Sequence, residues 1–98
     1  MEDILIKGQK FEGALLATAQ ANILMIKANI GFLGCGYFSI ETADKLNEPL
    51  AIVTGVKNYD DMLEASIIKV SQAAQKAGIN VGMKGAEALL IMNSLASS

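Results

Sequence analysis

The sequence contains no histidine, no arginine and no tryptophan, and it has one cysteine and one proline. Without histidine there can be no Ser-His-Asp or Cys-His nucleophile, no imidazole general base and no imidazole metal ligand. A single cysteine excludes an internal disulfide, a zinc ribbon and a Cys-x-x-Cys redox pair. Arginine is the best bidentate partner for phosphates and guanine edges, so its absence removes the usual contacts to nucleic acids.

Charged residues are also few, at 18% of the 98-residue chain, whereas hydrophobic residues form 52%. The net charge is −2, and the eight lysines are scattered singly from Lys7 to Lys84, so no nucleic-acid partner is expected. Between Gly13 and Ile40 the only charged residue is Lys27. Polar residues interrupt that stretch too often for a membrane span. An acidic start and the lack of a disulfide pair favour a cytoplasmic location.

The first third of the chain is punctuated by glycine and asparagine every few residues, which predicts a meander of strands before Gly31. Helix is the alternative there, because alanine, leucine and methionine are good helix formers. A glycine-rich strand is expected from Gly31 to Phe38, followed by a short helix from Ser39 to Leu46 with Ser39 as its N-cap. A buried strand from Leu50 to Val53 would then join the sheet.

The strongest helical pattern runs from about Tyr59 to Ala77, with Asn58 as N-cap and Gly78 just beyond its end. A last helix extends from Ala86 to Leu95 and is apolar around most of its circumference. The sequence therefore predicts one α+β (mixed α/β) domain over residues 1–98. In it, an N-terminal strand meander and one further strand form a sheet that two C-terminal helices cover.

The surplus of apolar residues predicts self-association. Small domains bury only about 60–65% of the surface of their unfolded chain, so a chain this apolar is expected to expose hydrophobic area as a monomer. Contiguous exposed patches mark partner surfaces. We therefore expect a homodimer or larger homo-oligomer, with Ile68 and the last helix contributing to its interface.

Cys35 is the most reactive side-chain type in the sequence, and Gly34 and Gly36 on either side would let a substrate approach its sulfur. A nucleophilic thiol needs a lowered pKa, which Lys57 or a helix N-terminus would have to provide in the absence of histidine. The alternative, which the missing activator favours, is a small buried hydrophobic residue.

Two glycine-containing corners are candidates for binding an anion. Thr54 and Gly55 lie between a strand and a helix, where backbone N–H groups bind anions. Gly82, Lys84 and Gly85 lie at the start of the last helix. Acidic residues in the first helical turn argue against the first site. Capping, a turn and close helix packing explain the second corner equally well.

Asp60, Asp61 and Glu64 offer three carboxylates within two helical turns, as a hard-cation site would require. Their favourable interaction with the helix dipole and with solvent explains them more simply. No metal and no cofactor are therefore expected.

Three segments, Gly34–Tyr37, Gly55–Leu63 and Gly78–Leu90, together resemble the YunC-like family of small uncharacterised proteins of archaea and bacteria. The resemblance extends from about Gly31 to Met92, and its most specific parts are the block from residue 55 to 63 and the run Gly-Met-x-Gly-x-Glu-Ala-Leu. It implies a compact mixed α/β domain without a known metal or cofactor. It supplies no catalytic residues and no substrate.

The preferred functional hypothesis is a homo-oligomeric domain that binds a small ligand or serves assembly. Its expected partners are further copies of itself and a small anionic ligand. One alternative is a small enzyme in which Cys35 is the nucleophile, Lys57 activates it and backbone N–H groups of Gly36 or Gly55 hold an oxyanion. A second alternative is a partner-binding subunit of a larger complex.

Overall fold

One mixed sheet organises the fold, and the computed structural model describes residues 2–95 of the chain. Within those residues the strands are β1 (Glu2–Ile6), β2 (Gln9–Ala17), β3 (Asn22–Lys27), β4 (Phe32–Gly34), β5 (Leu50–Ile52) and β6 (Lys69–Val70). Their order in the sheet follows their order in the sequence. Neighbouring strands are antiparallel except for β4 and β5, which are parallel. The predicted limits of 1–98 include residues 1 and 96–98, which lie outside the described part.

The first three strands confirm the meander predicted before Gly31. Phe11 on β2 and Leu24 and Ile26 on β3 are buried, and the residues between them are more exposed. This period of two explains why the apolar run in β3 is a strand despite its helix-forming residues. Alternate side chains enter the core while the others lie on the opposite face.

Helices cover parts of both faces of the sheet. Within residues 2–95 they are α1 (Ile40–Leu46), α2 (Tyr59–Glu64), α3 (Gln72–Lys76) and α4 (Gly85–Leu95). α1 connects the parallel strands β4 and β5, and its Ala43 packs with Leu50 and Ile52 on one face, which we call the outer face. α2 and α4 pack on the inner face, where Met62 and Leu89 join the larger core. The predicted α+β class is thus confirmed.

The single helix predicted from Tyr59 to Ala77 is wrong in its middle. α2 ends at Glu64, Ala65 is extended (φ −69°, ψ 149°), and β6 separates α2 from α3. Both predicted ends are confirmed. The side chain of Asn58 caps α2, and Gly78 follows the end of α3 with φ +97°.

Hydrogen bonds to two other segments of the same chain explain this interruption. The Ile68 N–H donates to the Ile52 carbonyl at 2.9 Å, and the Ile67 N–H donates to the Met83 carbonyl at 2.8 Å. Three of the four residues from 67 to 70 are β-branched, and such residues favour extended backbone. Pairing with β5 satisfies the backbone groups of that strand, which a continuous helix would leave without partners.

The glycine-rich strand predicted from Gly31 to Phe38 is shorter in the structure, because β4 ends at Gly34. The chain then turns, and the Phe38 N–H donates to the Cys35 carbonyl at 3.2 Å. The Phe38 ring lies over Gly34, so that a Cβ atom on this residue would lie 2.6 Å from the ring's Cδ2. Glycine is required at position 34 because an aromatic side chain occupies that space.

The apolar last helix is confirmed, and much of its apolar surface is used within its own chain. Ala88, Leu89 and Met92 are fully buried, and the half-buried Leu90 and Ile91 pack against the same core. None of the helices described within residues 2–95 is long and apolar enough to cross a bilayer.

Candidate functional site

A cavity of about 290 Å³ opens at one edge of the sheet, where β4 and β5 end. Three segments line it: Asn22; Cys35, Gly36 and Tyr37; and Thr54, Gly55 and Val56. Of the residues predicted from the sequence, the structure thus brings four together at one place. These are Cys35, Gly36, Thr54 and Gly55.

The parallel pairing of β4 and β5 positions this cavity. β4 ends at Gly34 and β5 at Ile52, and the two residues are register partners, so the segments that follow leave the same edge of the sheet. β3 is antiparallel to β4 and begins at that edge with Asn22. In open α/β sheets, ligands bind outside the carboxyl ends of the strands. The cavity occupies the equivalent position here.

Three of the residues that line the cavity have a backbone N–H group without an acceptor in the described part of the protein. The N–H groups of Gly36, Thr54 and Gly55 donate no hydrogen bond within the described residues. A Cβ atom on Gly36 would lie 3.3 Å from the Thr54 Cγ2, so the two loops are close neighbours. No charged side chain is among the described lining residues. The arrangement offers N–H donors, an amide and a hydroxyl to an acceptor group of a ligand.

Cys35 is fixed by its neighbour strand and is only 6% exposed. The Leu24 N–H donates to the Cys35 Sγ at 3.4 Å, and the Cys35 N–H donates to the Leu24 carbonyl at 3.1 Å. The thiol therefore has a structural partner as well as a place at the cavity wall. Burial in a packed setting is typical of free cysteines.

Lys57 lies outside this cavity. It lines a neighbouring depression of about 340 Å³, which shares Asn22 and Val56 with the cavity. Its backbone N–H donates to the Asp61 Oδ2 at 3.0 Å. The two predicted catalytic residues, Cys35 and Lys57, thus belong to adjoining depressions rather than to one.

Gly82, Lys84 and Gly85 do not line this cavity. The Gly82 N–H donates to the Ile67 carbonyl at 2.8 Å. The exposed Lys84 Nζ pairs with the Glu64 Oε2 at 3.2 Å. Gly85 is buried at the start of α4, where an added Cβ would collide with the Met62 carbonyl oxygen. Every ligand-binding candidate in this corner therefore has an intramolecular contact.

Within residues 2–95, no three acidic or cysteine side chains come together as metal ligands would. Asp61 accepts the hydrogen bond from Lys57, and Glu64 pairs with Lys84. Partial burial raises the pKa of Tyr59, at the start of α2, and the negative charge of Glu2 adds to the effect. Tyr59 is not among the residues that line the cavity.

Comparison with known proteins supplies the family. Residues 34–92 match the family described as "Domain of unknown function (DUF1805)". The chain is 32% identical over 93 residues to the uncharacterized protein YunC of Bacillus subtilis (strain 168), which covers 91% of this chain and 92% of YunC. This chain belongs to the YunC-like DUF1805 family. The resemblance seen in the sequence is confirmed.

A solved crystal structure extends the similarity to archaea. The protein of unknown function TA1206 from Thermoplasma acidophilum matches with a TM-score of 0.88 and 35% identity, covering 93% of this chain and 89% of that chain. Both relatives are described as uncharacterised or of unknown function. The comparisons therefore establish family and fold, and the activity has to be inferred from the site.

The DUF1805 match begins at Gly34 and includes both loops of the cavity but not Asn22. Asn22, Tyr37 and Val56 are the lining residues that the sequence did not single out. For Tyr37 and Val56, adjacency to Gly36 and Gly55 was the available signal. Asn22 is distant in sequence, and only the pairing of β3 with β4 brings it to this edge.

Because Cys35 is buried, we expect it to react slowly with iodoacetamide. The alkylation rate of the native protein at pH 8 should be at least about tenfold lower than in 8 M urea, since reactivity requires exposure as well as thiolate. Mass spectrometry of timed samples measures both rates. Equal rates would contradict the buried environment described here and would favour the nucleophile hypothesis.

Proposed function

We propose that this protein binds a small molecule bearing a carbonyl or carboxylate group in the cavity at the ends of β4 and β5. The observation that carries the proposal is the position of the cavity at the carboxyl ends of two parallel strands. Its lining residues Gly36, Thr54 and Gly55 have N–H groups that donate no hydrogen bond within the described residues. Such donors bind carbonyl oxygens, and they bind carboxylates more strongly because the hydrogen bonds are charge-assisted.

The remaining lining residues suit the rest of such a molecule. Asn22 and Thr54 offer an amide and a hydroxyl, whereas Tyr37 and Val56 provide apolar surface. A volume of about 290 Å³ lies near the lower end of about 300–1,000 Å³ for small-molecule sites. A ligand of metabolite size fits these dimensions. A small anion of this kind agrees with the partner expected from the sequence.

A second candidate function is catalysis with Cys35 as nucleophile, because its thiol shares the cavity with the N–H groups of Gly36 and Gly55. Those groups are the donors that an oxyanion would require. Ligand binding is favoured because Cys35 is buried and Lys57 lines a different depression. If Lys57 activated the thiol, Lys57→Ala would lower the alkylation rate of Cys35. An unchanged rate would contradict the catalytic role of Lys57.

Filling the cavity should abolish binding without unfolding the protein. We expect Gly36→Leu to place a branched side chain beside Thr54, and to change the melting temperature by no more than a few degrees because Gly36 is exposed. Amide chemical-shift mapping with pyruvate, acetamide and benzoate as probes measures the result. The wild type should show shifts at Gly36, Thr54 and Gly55, and the variant should show none there.

Gln75→Leu is the matched control, since Gln75 is exposed on α3 and does not line the cavity. This variant should retain the wild-type shifts. Shifts confined to Gly82, Lys84 and Gly85 would move the site to that corner and contradict the proposal. The absence of shifts for all three probes at 10 mM would also contradict it.

Self-association and a cytoplasmic location remain predictions from the sequence. Leu90 and Ile91 of α4 pack within their own chain, so less of the last helix is free for the interface expected there. The alternative of a partner-binding subunit of a larger complex likewise remains a prediction.

A further inference from the structure

Half of the outer face of the sheet has no covering layer. α1 packs on this face over β5, whereas none of the helices described within residues 2–95 packs on the outer face of β2 and β3. Strand alternation places four apolar side chains on that area, and one of them, Ile23, also packs against the larger core. We call them the outer patch: Ala14, Leu16, Ile23 and Met25.

Strand register makes the outer patch continuous. Ala14 is directly opposite Met25, and Leu16 is directly opposite Ile23. Leu16 is 65% exposed, and the other three are partly buried. Directly opposed side chains of an antiparallel pair lie about 5 Å apart, so the four form one surface rather than separate exposed residues.

We propose that a second copy of this chain covers the outer patch, so that two sheets face each other across a two-fold axis. The charges on this face favour such a contact. Residues 13–26 carry no charged side chain, so two identical patches meet without repulsion. Next to the patch on the same face, Glu12 is directly opposite Lys27.

The row formed by Glu12 and Lys27 carries one charge of each sign, so it is complementary to the same row on a second copy. A two-fold axis that runs along the strands between β2 and β3 would place Glu12 of one copy near Lys27 of the other, and the symmetry would repeat this contact. Lys10, two residues further along β2, already pairs with Asp3 at 3.5 Å, so this end of the face has both signs in equal number. A nucleic acid or an anionic membrane requires a surface of one positive sign.

The area that a stable dimer buries determines how much of the surface the proposed contact has to include. A standard interface takes about 800 Å² from each partner, which is about one seventh of the 5678 Å² of accessible surface here. Four side chains do not supply that area. The proposed interface therefore extends to the row of Glu12 and Lys27 and to the exposed end of the β2–β3 hairpin, residues 17–21.

A charge in the outer patch tests the proposal. The wild type should elute as a dimer at 20 μM in size-exclusion chromatography with light scattering. Leu16→Glu should be monomeric, with a dimer Kd raised at least about 100-fold, because two unpaired carboxylates would be buried. Leu46→Glu is the matched control, since Leu46 is 70% exposed on α1, and it should remain dimeric. Circular dichroism confirms that both variants are folded.

A charge exchange provides an independent test that does not involve the apolar residues. Glu12→Lys should weaken the dimer by placing lysines against each other, and the double variant with Lys27→Glu should restore it. A monomeric wild type at 100 μM, or a dimeric Leu16→Glu, would overturn the proposal. If Ile68→Glu dissociates the dimer and Leu16→Glu does not, the interface lies instead at the edge of the sheet near β6, where Ile68 is 45% exposed. None of these outcomes depends on ligand binding in the cavity.

Discussion

Gly85→Ala is expected to lower the free energy of unfolding by about 3 kcal/mol, although alanine is the better helix former. Gly85 begins α4 at the point where this helix touches α2. An added Cβ would collide with the Met62 carbonyl oxygen and would lie 2.7 Å from the Leu33 Cδ2. A backbone carbonyl in a packed helix has little freedom to move, so α4 itself would have to shift.

Urea unfolding followed by circular dichroism measures this loss. Gly36→Ala is the matched control, because its Cβ would meet only the Thr54 methyl group, at 3.3 Å. The control should lose less than about 1 kcal/mol. If Gly85→Ala were as stable as the wild type, the close approach of α4 to the α2 backbone would be contradicted.

Ser71→Ala is expected to destabilise the protein by about 3 kcal/mol. The Ser71 hydroxyl is fully buried, donates to the Glu48 carbonyl at 2.7 Å, and accepts from the Leu50 N–H at 2.9 Å. It also accepts from the Ala74 N–H at 3.3 Å as the N-cap of α3. Loss of a cap costs about 1 kcal/mol, and a buried group left without its partner costs a further 1–3 kcal/mol or so.

Ser39→Ala separates these two contributions. Ser39 caps α1 by accepting from the Thr42 N–H at 3.2 Å, but it is exposed. Its replacement should therefore cost only the capping energy of about 1 kcal/mol. Equal losses for the two variants in urea unfolding would show that the bonds from Ser71 to the β5 region contribute nothing.

The sequence predicted the structure correctly wherever local patterns determine it. The strand meander, the caps at Ser39 and Asn58, and the last helix all follow from spacing and capping chemistry. The interruption between α2 and α3 does not, because Leu63, Ile67 and Ala74 keep a helical spacing while contacting the same core. Ser71 and the β-branched residues before it were the available signal, but the deciding contact is with β5.

Several residues of the candidate site were predicted from the sequence, but their proximity in the fold was not. Four predicted residues come together because β4 and β5 are parallel neighbours: Cys35, Gly36, Thr54 and Gly55. The order of residues in the sequence does not reveal this strand pairing. Gly34 was singled out for the same loop, but the Phe38 ring occupies its side. Lys57 and the Gly82–Gly85 corner contain suitable residue types, and the chain places them in other surroundings.

The sequential order of the strands has a consequence for biosynthesis. Each strand pairs with the one made just before it, so the sheet can grow from its N-terminal edge while the chain is still leaving the ribosome. The inner core closes only with α4, which supplies Ala88, Leu89 and Met92. Until those residues emerge, the inner face of a nearly complete sheet is open to water. The nascent chain is therefore most exposed to aggregation and chaperone binding before α4 has emerged.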